Sequence, residues 1–318
     1  MTLTRVREQI VNGIPACTKH ATAVGIGLFI AFIGLKNARL IVDDPSTYLA
    51  LGSFSDAQVQ TAALGFLLTA ALISRRVNGA ILLAIAATTI FAGMRGLTHW
   101  PSRLFALPHV SGIFLRLDLC GALQLGLLEI VFVFLFVDLF DNVGTLVGVC
   151  EQAGLVRDGK IPRANKALVS DALGSMIGSL TGTSTVTSYI ESAAGVAAGA
   201  RTGLSNMVVG ALFLLAAFFS PVIAVIPSAA TAPALIIVGA LMARPVSLVD
   251  WSDFTEALPA FVTMLATPLT FSVASGLSLG LVVFTLVKVA VGRPKDVSVL
   301  LWVLTVIFVF RYLYLAMR

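Results

Sequence analysis

Residues 131–148 read VFVFLFVDLFDNVGTLVG. Two carboxylates, Asp138 and Asp141, stand inside a run otherwise as apolar as a membrane span. An acid at bilayer depth costs roughly 2.5–3.5 kcal/mol on insertion scales, so such residues are rare and mark a pathway or a site. In a helix, positions three and four apart share a face. Phe134, Asp138, Asp141 and Thr145 therefore form one stripe of an aromatic ring, two acids and a hydroxyl. The apolar run extends over 119–152, about 34 residues or about 51 Å at 1.5 Å per residue. That exceeds a hydrocarbon core of ~30 Å, so the helix tilts or protrudes and places both acids near mid-membrane.

The rest of the composition agrees. The chain is 58% hydrophobic and 12% charged, with mean hydropathy +0.98. Soluble domains carry about twice that charged fraction, so the reading is an all-α polytopic membrane protein. The net charge of +5 belongs to loops that set topology and does not indicate nucleic acid. Cys17, Cys120 and Cys150 lack metal-ligand spacing and read as core residues. His20, His99 and His109 lie outside the apolar runs, so no metal site is expected.

In chain order, 1–20 is a basic lead-in and 21–35 the first span. Residues 41–60 form an acidic polar loop, and spans 61–73 and 80–93 flank a turn at Asn78–Gly79. A long connector covers 94–118. After the acid-bearing helix come a basic loop over 157–166, a short helix over 167–180, and apolar segments at 207–219 and 232–243. A partly helical polar stretch covers 244–257, and a helical pair at 258–273 and 277–289 is split at Ser275–Gly276. The apolar tail 297–315 either spans or lies against the bundle. Basic ends at 5–20, 75–76, 157–166, 201, 244 and 288–295 read as cytoplasmic, and 41–60 as external.

Weak internal similarity joins LFIAFIGLKNA (28–38) to PALIIVGALMA (233–243), aligning Gly34 with Gly239. Inverted repeats of this kind build many secondary transporters. About a hundred residues precede the second block as counterpart, and few precede the first. The expectation is a first repeat short of its first four spans.

Thr181–Gly195 reads TGTSTVTSYIESAAG. Its opening, five hydroxyls in seven positions, is a poor helix interior. Extended backbone at bilayer depth is tolerated only inside protein or along a cavity. Ser188-Tyr189-Ile190-Glu191 fits an S-x-x-E capping box, so a half-helix is expected to restart near Ser188 with its N–H groups facing mid-membrane. Plainer readings stay open: Glu191 as a cap only, the hydroxyl run as an extramembrane loop, the two aspartates as interhelical contacts, and Glu129 and Asp171 as structural groups. Taken jointly, three acids and a broken helix favour one polar site. Such a site suits a flat polar heterocycle, with carboxylates accepting from ring N–H groups and half-helix N–H groups donating to a carbonyl or ring nitrogen. Two acids three residues apart do not both ionise cheaply, so one holds a proton that can couple to substrate.

FVFLFVDLFDNVGTLVGV (132–149), GTSTVTSYIESAAGVAAGARTGL (182–204), FFSPVIAVIPSAATAPALIIVGALM (218–242) and DWSDFTEALPAFVT (250–263) closely resemble the AzgA-like purine permeases of the nucleobase–cation symporters. The resemblance implies a seven-plus-seven inverted-repeat fold with discontinuous helices, of which this chain holds about ten spans, five to fourteen. It implies proton-driven symport of adenine, guanine or hypoxanthine across the cell membrane. Substrate contacts would come from Asp138, Asp141, Glu191, Tyr189, Ile190, Ser188, Thr145 and Phe134, with Asp138 and Asp141 handling the proton in roles the resemblance does not divide. It further implies that 1–118 is the rest of the first repeat, 119–220 the core-domain half of the second, 221–295 its gate-domain half, and 296–318 a C-terminal helix.

No cofactor beyond a coupling proton is expected. The partners are a purine nucleobase and the lipid bilayer; a homodimer is compatible with this reading and not required by it. Alternatives are an inactive truncated remnant, or a same-fold carrier for xanthine or uracil. Acids in the site count against an anion carrier. An intramembrane aspartyl protease would need GxGD, which the sequence lacks, so no enzyme is expected.

Overall fold

The apolar runs fold as helices because every backbone group at bilayer depth must find its partner within the segment. The computed structural model describes residues 13–98, 100–101, 103–107, 114–118, 121, 138, 142, 145–157, 161–183, 186–189 and 192–316. In chain order it contains α1 (Ala16–Asn37), β1 (Ile41–Asp44), β2 (Tyr48–Leu51), α2 (Ala57–Ser74) and α3 (Ala80–Met94). Residues 145–152 are helical. There follow α4 (Ala164–Thr181), α5 (Ser192–Ala197), α6 (Gly203–Phe218), α7 (Ser220–Ile223), α8 (Ser228–Met242), α9 (Phe254–Leu269), α10 (Val273–Ala290) and α11 (Val299–Ala316). Among the described residues, four stretches are long and apolar enough to cross a membrane: Ala16–Asn37, Ala57–Ser74, Ser228–Leu248 and Val273–Ala290. The protein is a mostly helical, multi-pass membrane protein.

The chain divides into two units. The first comprises residues up to Leu28, 110–199, and Met242 onward. Its core gathers Cys17, Val147, Cys150, Leu168, Leu277, Leu281, Phe284, Leu301, Leu304 and Phe308, all buried. Gly148 lets residues 145–152 approach α1 closely: a Cβ there would lie 3.3 Å from Ala23 Cα. The α9–α10 seam is tighter. A Cβ on Gly276 would overlap Thr267 Oγ1 and lie 2.9 Å from Thr267 Cα, and one on Gly280 would overlap Thr263 Oγ1. Small residues that bring backbones together are the usual means of helix packing in lipid. Thr263 and Thr267 are fully buried, and their hydroxyls donate to Pro259 O at 2.9 Å and Thr263 O at 2.8 Å, four residues back on their own helix. Between α10 and α11, Thr285 and Thr305 hydroxyls bond at 2.9 Å, and Ser278 and Tyr312 hydroxyls at 2.6 Å.

The second unit comprises Phe29–His109 and Ala200–Leu241. Here the two segments of similar sequence pack on each other, because a Cβ on Gly34 would lie 3.1 Å from Ile236 N. Gly65 of α2 sits against Thr88 of α3 and Pro233 of α8. α6 buries no residue.

Several expectations need correction. The 41–60 loop holds an antiparallel hairpin pairing Ile41 with Leu51 and Asp44 with Tyr48. Asp44 Oδ1 accepts from the Ser46 and Thr47 N–H groups at 2.8 and 2.9 Å, which closes the turn. These bonds hold the Asp44 carboxyl below its usual range, the Thr47 N–H contributing most. α2 begins at Ala57, earlier than expected, because Asp56 caps the Gln58 N–H at 2.8 Å. Lys19, placed in a basic lead-in, is 2% exposed and lies inside α1. The 258–289 pair breaks at Thr270–Ser272, with Phe271 left-handed at φ 52°. Gly276 is interior to α10, where its missing side chain makes room for Thr267.

Candidate functional site

The hydroxyl-rich segment leaves the helix because Gly182 takes up a left-handed conformation, φ 83°. The Gly182 N–H donates to Ser179 O at 3.1 Å and the Thr183 N–H to Gly178 O at 3.0 Å. That pair of bonds is the Schellman ending that a C-terminal glycine permits. The connector covers a further carbonyl, since the Leu115 N–H donates to Leu180 O at 2.9 Å. Residues 186–189 then run without helical structure. The next described helical residue is Ser192, four residues after Ser188, and α5 is six residues long as described. The Ser188-based capping box therefore does not mark the first described helical residue. Ser192 N–H instead donates to Tyr189 O at 3.2 Å.

Among the described residues, two side chains hold the non-helical stretch. Ser175 Oγ, on α4, donates to Val186 O at 2.8 Å. Asn142, on the acid-bearing helix, accepts the Ser188 N–H on Oδ1 at 3.0 Å. The same Asn142 amide donates from Nδ2 to Asp138 O at 3.0 Å, four residues back. Asn142 is 1% exposed. The amide thus spends a donor on one element and an acceptor on the other, which fixes which way it points.

Asp138 is half-buried, one turn from Asn142, and Thr145 is buried. Ser188 lies in the stretch held by Asn142, and the neighbouring Tyr189 is 69% exposed. The structure thus brings the Asp138 backbone, Asn142 and Ser188 together. Phe134, Asp141, Ile190 and Glu191 lie outside the described residues, as do Cys120, His99, His109 and Glu129. Asn142 is the residue that reading the stripe missed. Its signal was present: an amide four positions after an acid, on the same face.

At the far end of the same helix, His20 Nε2 meets Glu151 Oε1 at 3.3 Å, with both side chains largely buried. Among the described residues no group of three His, Cys, Asp or Glu could hold a metal ion. Chemically, the site sets a carboxylate-bearing helix beside a non-helical stretch in which Val186, Ser188 and Tyr189 are exposed. That arrangement can hydrogen-bond a planar polar solute, and it contains no nucleophile–base pair among the described residues.

Comparison with known proteins gives the family. The xanthine/uracil permease model, described as "Permease family", matches residues 1–290. A permease of Methanocaldococcus jannaschii is 52% identical over 318 residues, covering 99% of this chain and 73% of the relative. The adenine permease AdeQ of Escherichia coli is 42% identical, covering 97% of this chain and 70% of the relative. The guanine/hypoxanthine permease PbuG of Bacillus subtilis is 41% identical, covering 99% and 72%. The apolar helices, the broken segment and these matches agree: the chain belongs to the xanthine/uracil permease family, whose members are membrane transporters and not enzymes.

Proposed function

We propose that this protein carries purine nucleobases across the cell membrane in symport with protons. The observation that carries the reading is the Asn142 link, which sets the non-helical 186–189 stretch beside the Asp138 turn. A purine ring presents N–H donors and ring-nitrogen or carbonyl acceptors along one edge. Carboxylates at 138 and 141 supply acceptors, and backbone N–H groups near 189–191 supply donors. Relatives at 42% and 41% identity named as adenine and guanine/hypoxanthine permeases support the purine class. Proton coupling is inferred for the same two carboxylates, because ionisable groups at membrane depth are the side chains able to relay a proton along a transport path. The fold we infer is the inverted-repeat type, with Phe134, Thr145, Ser188, Tyr189, Ile190 and Glu191 lining the site beside the two aspartates. The family's xanthine/uracil designation favours a second reading, a pyrimidine or oxidised purine as solute.

The test is uptake of radiolabelled adenine, guanine, hypoxanthine, xanthine and uracil by cells lacking their own carriers. Purine uptake that collapses with a protonophore, and that Asp138→Asn abolishes at normal membrane levels, is the expected outcome. Uptake by Asp138→Asn equal to the parent would remove Asp138 from the site. Uptake of uracil alone would replace the purine reading with the second one.

A further inference from the structure

The Asn142 bridge satisfies a backbone donor that the broken helix leaves over. Ser188 is not in a helix, so no helical ladder provides for its N–H. Asn142 Oδ1 takes that bond at 3.0 Å from a helix 46 positions away in sequence. An N–H left unbonded in a dry site is costly, so the acceptor decides where this stretch lies. The other half of the amide is equally committed, since Nδ2 bonds to Asp138 O. Back-bonding of a side chain onto the carbonyl four residues earlier competes with the helical ladder and bends helices. It also fixes Asn142 against the residue whose carboxylate the proposed site uses. At 1% exposure, Asn142 has no room for a solute to reach its side chain.

We propose that Asn142 is a positioning residue for transport: buried behind the site, it sets the register between the Asp138 turn and the non-helical 186–189 backbone. It acts through those two elements and does not touch the solute. This rests on the reading that both elements face the transported nucleobase. Ser175 anchors the same stretch from α4, through Val186 O at 2.8 Å. Among the described residues the stretch is therefore held at two points two residues apart, and loss of Asn142 frees the end nearer Tyr189 while leaving the other tied.

Three variants separate the functions of the amide. Asn142→Ala removes acceptor and donor. Asn142→Asp keeps an acceptor for Ser188 but, ionised, has no proton for Asp138 O. Asn142→Gln keeps both groups on a longer stem. Each is assayed for membrane level, KM and maximal rate of purine uptake. A second readout needs no substrate: the rate at which a Tyr189→Cys thiol is alkylated in membranes, with Asn142 or the replacement behind it.

The expected result is a KM rise of about tenfold for Asn142→Ala, equivalent to about 1.4 kcal/mol, at near-normal membrane level, with Asn142→Gln recovering part of it. Alkylation at position 189 accelerates in the Ala background and less in the Asp background. The proposal is overturned if KM is unchanged, or if lost uptake follows lost protein alone, since that is what a general folding role gives. It is also overturned if the alkylation rate is the same in all backgrounds. If the parent takes up no purine yet alkylation still responds to Asn142, the purine reading fails and the positioning role stands.

Discussion

Gly276→Ala tests how tightly α9 and α10 are packed. The new Cβ would overlap Thr267 Oγ1, and rotating that hydroxyl away leaves Thr267 Cα only 2.9 Å distant, a backbone atom that cannot swing aside. The helices must therefore separate. Overpacking of this kind costs about 1–3 kcal/mol. Replacing glycine by alanine in a helix interior returns about 1 kcal/mol through propensity, leaving a net loss of about 1 kcal/mol at mid-range. Gly210 of α6 is the control, since a Cβ there meets nothing within 4 Å. Gly210→Ala should gain up to about 1 kcal/mol. The two substitutions, chemically identical, should thus shift thermal unfolding in opposite directions when purified protein is heated in detergent. Adding Thr267→Ala should rescue Gly276→Ala only in part, because the clash with the Thr267 backbone remains. Adding Thr263→Ala should rescue Gly280→Ala more fully, since there the worst overlap is with Oγ1 and the next atom, Thr263 Cβ, is 3.1 Å away. A Gly276→Ala protein that melts at or above the parent would refute the packing assignment.

Two further outcomes follow from the end of the same helix pair. Lys288, 4% exposed, donates to Thr255 Oγ1 at 2.7 Å and lies 4.0 Å from both Asp253 and Glu256. Lys288→Met, which keeps the stem's packing, should retain about 2 kcal/mol more stability than Lys288→Ala, read as the difference between their detergent melting curves. Asp253 caps α9 through the Thr255 N–H at 2.9 Å and hydroxyl at 2.7 Å, and those bonds hold its carboxyl below the usual aspartate range. A depressed folded pKa adds stability above the unfolded value of about 3.8, and that stability disappears as pH falls through the folded pKa. The melting-temperature gap between parent and Asp253→Leu should therefore be full at pH 6 and narrow below pH ~4; a gap constant down to pH 3 would contradict it.

How much of this was legible in sequence depends on what each signal measures. The spans were readable because a run of apolar residues in lipid leaves the backbone one economical choice. Asp138 stood out for its cost at that depth. Asn142 did not, because an uncharged amide next to two acids adds little to a hydropathy or charge count, and its partner Ser188 is 46 positions away. Ser275–Gly276 reads as a break because glycine interrupts soluble helices; in α10 it makes room for another helix, and the turn falls after Pro268 instead. Asp56 and the 41–51 hairpin were hidden inside a stretch read only as polar. The Ser188–Glu191 motif has the form of a helix start, yet Ser188 spends its N–H on Asn142 and the described helix begins at Ser192.

Threonine counts as polar in any tally of composition, and the α9–α10 seam is rich in it. Yet Thr263 and Thr267, against which Gly280 and Gly276 pack, have each given their only proton to a carbonyl of their own helix. To a passing base in search of donors, Thr263 and Thr267 offer little more than methyl groups. The seam is closed in two ways: α9 and α10 meet at backbone distance, and its threonine hydroxyls, though still able to accept, have no proton left to give a solute.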